Sequence, residues 1–209
     1  MGRKKHLRLE EVKHLPNVLH TPFEPREKYF KNSLPVTLEL GCGKGEYVLA
    51  LAQKYPERNF IGIDKKADRL WYGAQKALAL NLPNVLFMRL PIEKLAEYFG
   101  AQSIAEIWLT FPDPFARRDE AKKRLVAKHF QDSYQKVLIP KGVMHLKTDN
   151  EQLFAYAQSI LESLPANVLQ CLPNVYSLDP VPDYLLVQTT FERKYLQIGK
   201  KIMYISWQF

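Results

Sequence analysis

An aspartate held between two prolines, Asp113 in Thr110-Phe111-Pro112-Asp113-Pro114-Phe115, is the most specific short feature of this sequence. Proline fixes its own φ and restricts the residue before it, so this carboxylate rides on a rigid turn, as a group preorganised for chemistry would. Two further acids fall at the ends of β-rich runs. Glu39 lies in Val36-Thr37-Leu38-Glu39-Leu40, and Asp64 follows Asn59 to Ile63. Between them runs Gly41-Cys42-Gly43-Lys44-Gly45, whose alternating glycines permit a tight turn and close backbone approach to a ligand. The amides that open the next helix can face a ligand's polar groups. An acid about 20 residues beyond such a loop is placed to accept hydrogen bonds from ribose hydroxyls, which is the role read here for Asp64. Each acid also has a purely structural alternative: a solvated strand end for Glu39, a helix cap for Asp64, an ordinary proline turn for Asp113.

The loop also discriminates among nucleoside ligands. A dinucleotide fingerprint has a third glycine where this chain has Glu46, so a pyrophosphate fits poorly. S-adenosylmethionine is cationic at sulfur and carries no phosphate, and acids such as Glu39 and Glu46 suit it. Directly after the Asp113 turn comes the densest basic cluster, Arg117, Arg118, Lys122, Lys123, Arg124 and Lys128. Guanidinium groups make bidentate contacts with phosphate, and Phe115 could stack on a base or anchor in the core. The five histidines are scattered, none at metal-ligand spacing, so no metal is expected and His145 reads as a packed residue.

These residues need a frame that brings strand ends together. Short apolar runs at Val36 to Leu40, Asn59 to Ile63, Val85 to Arg89, Ile104 to Phe111 and Gly142 to Lys147 alternate with helical spacing over Tyr47 to Tyr55, Ala67 to Leu80, Ile92 to Phe99, Arg124 to Val137 and Gln152 to Leu164. Such alternation predicts a parallel sheet with helices on both faces, and ligands in sheets of this kind sit outside the carboxyl ends of the strands. Leu185 to Thr189 and Lys201 to Trp207 read as strands that add an antiparallel edge, for seven strands in all. Residues 1–35, with Pro16, Pro22, Pro25 and Pro35 among charges, read as a basic, partly irregular arm, and 36–209 as the domain.

Bulk properties narrow the classes. The chain has 209 residues and a formal charge of +8, a balance that attracts polyanions, and the basic residues frame the segments above. No stretch approaches the roughly 20 apolar residues of a membrane span, and the N-terminal charges are not followed by the apolar run of a signal peptide. Two cysteines form neither a disulfide framework nor a four-ligand zinc site, which points to a reducing, cytoplasmic setting.

From Leu38 onward the chain resembles the bacterial tRNA (guanine-N7)-methyltransferases. The resemblance rests on Leu38-Glu39-Leu40-Gly41-Cys42-Gly43-Lys44-Gly45, Gly62-Ile63-Asp64, Phe111-Pro112-Asp113-Pro114-Phe115, His145-Leu146-Lys147-Thr148-Asp149-Asn150 and Thr189-Thr190-Phe191-Glu192. It implies a Rossmann-like class I methyltransferase fold and transfer of a methyl group from S-adenosylmethionine to N7 of guanosine 46 in the variable loop of tRNA, by a monomer or homodimer. It places Glu39, Gly41, Gly43, Gly45, Asp64, Lys65, Glu93 and Asp113 at the cofactor, and Arg117, Asp149, Thr189, Thr190, Phe191 and Glu192 at the target guanosine. The chain departs from the family pattern at Pro91, where an acid is expected to meet adenine and Glu93 is the nearest substitute. It departs again at Arg117 for lysine, Phe115 for tryptophan, and Asp119-Glu120 for an arginine-histidine pair.

The implied chemistry asks for positioning. Guanine N7 has a lone pair and no proton, so attack on a sulfonium methyl needs no general base. Methylation leaves a cationic purine that a nearby carboxylate stabilises. Asp113 and Asp149 are the candidates, and Glu192 could read guanine's donor edge. Two competing readings remain at this level: a nucleotide-dependent oxidoreductase, and an RNA-binding protein of the same fold that has lost methyl transfer.

Overall fold

The computed structural model describes residues 2–20 and 29–209; Pro22 and Pro25, read above as part of the arm, lie outside the described residues. In chain order the main elements are α1 (Gly2–Glu11), β1 (Val18–Leu19), β2 (Val36–Leu40), α2 (Glu46–Lys54), β3 (Asn59–Asp64), α3 (Ala67–Ala79), β4 (Val85–Arg89), α4 (Leu95–Tyr98) and β5 (Ile104–Thr110). They continue with α5 (Lys128–Val137), β6 (Leu138–Thr148), α6 (Glu151–Glu162), β7 (Asn167–Leu172), α7 (Thr190–Gln197) and β8 (Met203–Gln208). No helix among the described residues is long and apolar enough to cross a membrane.

The strands form one sheet in the order β1-β4-β3-β2-β5-β6-β8-β7. All pairings from β1 through β6 are parallel, and β8 runs antiparallel to both β6 and β7. Strands β2 and β3 are buried along their whole length, as strands covered on both faces must be, which is why they read as nearly unbroken apolar runs. One apolar cluster, including Leu38, Ile61, Ile107 and Leu146, packs beneath α5 and α6. A second, including Tyr47, Phe60, Phe87 and Trp108, packs beneath α2 and α3. Strand order reverses between β2 and β5, which are neighbours, and this opens a crevice at their carboxyl ends.

The expected class I methyltransferase architecture, a mostly parallel sheet with an antiparallel edge and helices on both faces, is present with two corrections. The sheet has eight strands, because two arm residues, Val18 and Leu19, pair with Phe87 and Met88. The second antiparallel strand is not Leu185 to Thr189: Leu185 closes a 3-10 turn at Asp183–Leu185, Thr189 caps α7, and the residues between them are in neither helix nor strand. Its place is taken by Asn167–Leu172, an edge strand exposed on both sides and so without the alternation that marks a half-buried strand. The helix expected from Arg124 begins only at Lys128, since Arg124 is drawn back to the Asp113 turn.

Candidate functional site

Glu39, next to last in β2, and Thr110, the last residue of β5, lie on the two strands that flank the crevice, and the Thr110 hydroxyl donates to Glu39 Oε1 across it. Glu39 Oε2 accepts from the Val48 amide at 2.9 Å, so this carboxylate also caps the first turn of α2 from below. The glycine loop lies over it. Gly41, Gly43 and Gly45 all adopt positive φ, and a Cβ on Gly45 would sit 2.7 Å from the Phe87 ring. Above Gly43, by contrast, a Cβ would meet nothing within 4 Å. Asp64 Oδ2 accepts from the Gly43 amide at 3.0 Å and Oδ1 from the Lys66 amide at 2.7 Å, which ties the loop to the start of α3. Each carboxylate oxygen retains a free lone pair, so Asp64 can still accept from a ribose. An open cradle over glycines, with acids beneath and beside it, fits a cationic nucleoside.

Glu39 is 2 % exposed, and burial pushes its carboxyl up to about 7, opposed by the bonds from Thr110 and Val48 and reinforced by the negative charges of Asp64 and Glu46. Its ordinary value is 4.5, so between about pH 4.5 and 7 the folded state holds a proton that the unfolded state has released. Stability therefore falls as pH rises through that window, by about 3 kcal/mol in total, and is level above it. Glu39→Gln is expected to abolish this slope. Denaturant titrations of both proteins at pH 5 and pH 8 check it: the variant gains relative to the parent at the higher pH, and parallel curves would refute the shift.

The Asp113 turn is held from two sides. Phe111 and Phe115 both take positive φ, 47° and 42°, which costs non-glycine residues about 1–3 kcal/mol each and must be enforced by contacts. The Phe111 amide donates to the Lys147 carbonyl at 2.8 Å. The Arg124 guanidinium donates to the carbonyls of Pro114 and Phe115 at 2.9 and 3.1 Å and stacks 4.4 Å over Tyr156. Arg124 is thus a clamp and only 8 % exposed, whereas its place in a basic run suggested an RNA contact. Asp113 itself is exposed and makes no hydrogen bond or ion pair with the other described residues.

The tetrad Thr189 to Glu192 opens α7. Thr189 caps it by accepting from the Glu192 amide at 3.1 Å, and the Thr190 amide donates to Glu46 Oε2 at 2.6 Å. Glu46, the residue that replaces a third glycine, therefore joins the amino ends of α2 and α7. Glu192 is fully buried in an ion pair with Lys147 at 2.7 Å and accepts from the Tyr176 hydroxyl at 2.7 Å. Lys147 also donates to the carbonyls of Leu185 and Val187 at 2.8 and 3.0 Å. Desolvation pushes its ammonium below the ordinary value, and the Glu192 carboxylate opposes that shift. Phe191 is left 62 % exposed. Asp149 pairs with Lys200 at 2.6 Å, and Lys200 lies 4.5 Å over Tyr195, whose ring in turn contacts Phe111.

The other expected residues lie at the rim. Arg117 is exposed and donates to Glu120 Oε2 at 3.0 Å, and Lys123 donates to Glu120 Oε1 at 2.9 Å. Lys65 and Glu93 are exposed, Glu93 on a 3-10 turn that Pro91 precedes. His145 is packed: its ring stacks on Trp108 at 4.0 Å, Nδ1 contacts the Tyr204 hydroxyl at 2.7 Å, and burial pushes it down to about 3, so it is neutral. Sequence reasoning missed Thr110, Lys147, Arg124 and Tyr176 as site-building residues. A lysine directly after the strand-like run Val143 to Leu146 was the available signal for one of them.

A sequence model described as "Putative methyltransferase" matches residues 33–205. Among known proteins, the tRNA (guanine-N(7)-)-methyltransferase of Christiangramia forsetii is 42% identical over 193 residues, 92% of this chain and 86% of that protein. The enzyme of the same name from Cytophaga hutchinsonii is 36% identical over 225 residues, 100% of this chain and 99% of that protein. Among solved structures, the 16S rRNA methyltransferase KamB aligns with a TM-score of 0.68 at 14% identity, over 90% of this chain and 94% of that one. A SAM-dependent methyltransferase from Aquifex aeolicus aligns with a TM-score of 0.58 at 17% identity, over 95% and 97%. These structural likenesses speak for the fold.

Proposed function

The chain belongs to the tRNA (guanine-N7)-methyltransferase family, and from that premise we propose that it transfers the methyl group of S-adenosylmethionine to N7 of guanosine 46 in cytoplasmic tRNA. The observation that carries this is the geometry at the crevice: an open glycine cradle lined by Glu39 and Asp64, beside Asp113, which pairs with no other described residue, on a strained, clamped turn.

When bound, S-adenosylmethionine supplies an electrophilic methyl group on a cationic sulfur. Gly41, Gly43 and Gly45 would hold it through their positive-φ turn, with the open side over Gly43, Asp64 would accept from its ribose, and Lys65 and Glu93 would border the adenine end. Pro91 offers no carboxylate to accept from the adenine amino group, so that acceptor must come from elsewhere on the rim, where Glu93 is the nearest acid. No residue has to remove a proton, because N7 carries none. The chain's task is to hold the base in line with the methyl group and to place negative charge where the purine becomes cationic. Asp113, which pairs with no other described residue, is the carboxylate placed for that purpose. Thr189, Thr190 and the exposed Phe191 border the base. Glu192 acts through the segment it anchors, while Asp149 is oriented by Lys200.

The Arg117 loop bears on tRNA affinity. Glu120 pairs with both Arg117 and Lys123 and offsets one of their two charges, while Arg118 and Lys122 form no ion pair among the described residues. The Arg117 hydrogen bond, followed by that of Lys123, holds the Glu120 carboxyl below its ordinary value, so it stays ionised. Glu120→Gln is expected to tighten tRNA binding several-fold at about 0.1 M salt, with the gain fading as salt rises. Filter binding across a salt series checks this, and unchanged affinity would show that Arg117 and Lys123 do not meet RNA.

The reading of function is tested by incubating the protein with labelled cofactor and bulk tRNA, then identifying the modified nucleoside by mass. Labelled 7-methylguanosine, mapped to position 46 by cleavage at the modified base, is the expected result. Tight tRNA binding with no label incorporated would favour an RNA-binding protein instead.

A further inference from the structure

We infer that Arg8, Lys44 and Tyr72 form a phosphate-contact site for the RNA backbone, on the side of the crevice away from the Arg117 loop. The inference rests on tRNA being the substrate and adds a second point of grip. Lys44 belongs to the glycine loop, yet its ammonium lies 4.9 Å from the centroid of Tyr72 on α3. The Arg8 guanidinium reaches the same ring from α1, 5.0 Å from its centroid. Two cations therefore converge on one ring that is itself 38 % exposed. Among the described residues no carboxylate lies within ion-pair distance of either. The Arg8 Nε–H is buried and has no hydrogen-bond partner.

That arrangement is electrostatically incomplete. A ring face attracts each cation, but it does not cancel the repulsion between them, and a buried N–H without an acceptor is costly. The acids that share the last turn of α1 with Arg8 are committed elsewhere: Glu10 to Lys13 at 2.9 Å and Glu11 to the Trp71 indole at 2.7 Å. Asp68, one turn before Tyr72, pairs with neither cation. A phosphodiester oxygen would accept from Arg8 and lie between both charges. The surroundings extend the patch. Lys4 and Lys5 are exposed one turn before Arg8, on the same face of α1, and Lys66 and Arg69 are exposed at the start of α3.

The position suits a polyanion that also fills the crevice. Helix α3 follows β3, on one side of the reversal in strand order, and the Arg117 loop follows β5, on the other. An RNA held at both places lies across the carboxyl ends of β2 and β5, over the cradle. Helix α1 is fixed there by its contacts with Tyr72 and Trp71, so the arm delivers its charges to a defined place.

The test is tRNA affinity of the full chain across about 0.05 to 0.3 M salt, for the parent, Arg8→Gln, Lys44→Gln, the double variant and Arg8→Lys. A backbone phosphate contact contributes about 0.7 to 0.9 to the slope of log K against log salt, so the double variant should lose about one unit of slope and bind about tenfold more weakly near 0.15 M. Arg8→Lys should keep the parent's slope, which separates lost charge from lost packing. Lys44→Gln, an exposed change, carries the test should the double variant not fold, and its slope should also be smaller than the parent's. A parent slope in Lys44→Gln and the double variant overturns the site. So does saturable binding of inorganic phosphate by the parent alone, with the tRNA slope unaffected by the substitutions. Methylation by the parent is measured alongside. A parent that methylates tRNA while the variants keep its slope refutes this site only, and a parent with no affinity for tRNA refutes both this site and the reading on which it rests.

Discussion

Asp113→Ala lowers kcat/KM for tRNA methylation by about 100- to 1,000-fold, the range expected when one preorganised electrostatic group is taken from a reaction centre. It leaves the thermal midpoint unchanged, because the side chain is exposed and bonded to no other described residue. Asp113→Asn should fall as far, since charge and not size stabilises a purine that becomes cationic. The expectation comes from a contrast that sequence does not show. By sequence Asp113 and Asp149 are both candidates for the same role, two acids after the carboxyl ends of neighbouring strands. In the structure Asp149 is already neutralised by Lys200 at 2.6 Å, while Asp113 is uncommitted on a turn with two positive-φ phenylalanines. Strain of that kind is kept where the surroundings enforce it, and here Arg124 and the Lys147 carbonyl do so. Asp149→Ala should therefore cost less than Asp113→Ala. Steady-state rates at saturating cofactor decide the order, and near-normal turnover by Asp113→Asn would remove Asp113 from the chemistry.

The sheet and the cradle were legible because their signals are local. Buried parallel strands such as β2 and β3 show as apolar runs, and a glycine loop with an acid at the next strand end states its geometry within 25 residues or so. What was not legible depends on partners far away in sequence. Nothing near Glu39 announces Thr110, and nothing near Glu46 announces the Thr190 amide. Arg124 reads as one more cation in a basic run until its guanidinium is seen on the carbonyls of Pro114 and Phe115. β7 escaped for the opposite reason: both its faces are exposed, so no periodicity marks it. In the Thr189 to Glu192 tetrad the resemblance supplied the residues but not their division of labour. The threonine caps, the glutamate is buried, and only the phenylalanine faces outward.

Lys147→Met should be the most destabilising single change in the site, by about 3–5 kcal/mol, because it leaves the Glu192 carboxylate buried without its cation. Glu192→Gln should cost less: it strands the Lys147 ammonium, but that group keeps the carbonyls of Leu185 and Val187 and can lose its proton, having been pushed down already by burial. The double variant Lys147→Met/Glu192→Met tests whether charge is the cause. Replacing both ions by apolar groups removes the uncompensated charge, so its loss should fall well short of the sum of the two single losses, a coupling that urea titrations resolve. Activity should not recover with stability. Lys147 fastens the carbonyls of Leu185 and Val187 and, through Glu192, the first turn of α7, while its own carbonyl holds Phe111 at the head of the Asp113 turn. A folded double variant would keep the Phe111 bond but not the three side-chain anchors, so Thr190 and Phe191 would be free to shift against the crevice. The expected signature is tRNA methylation reduced mainly in kcat, with adenosylhomocysteine affinity close to the parent's because the glycine cradle is untouched. Parent-like kcat in the stable double variant would mean that the buried pair serves the fold and not the placement of the base.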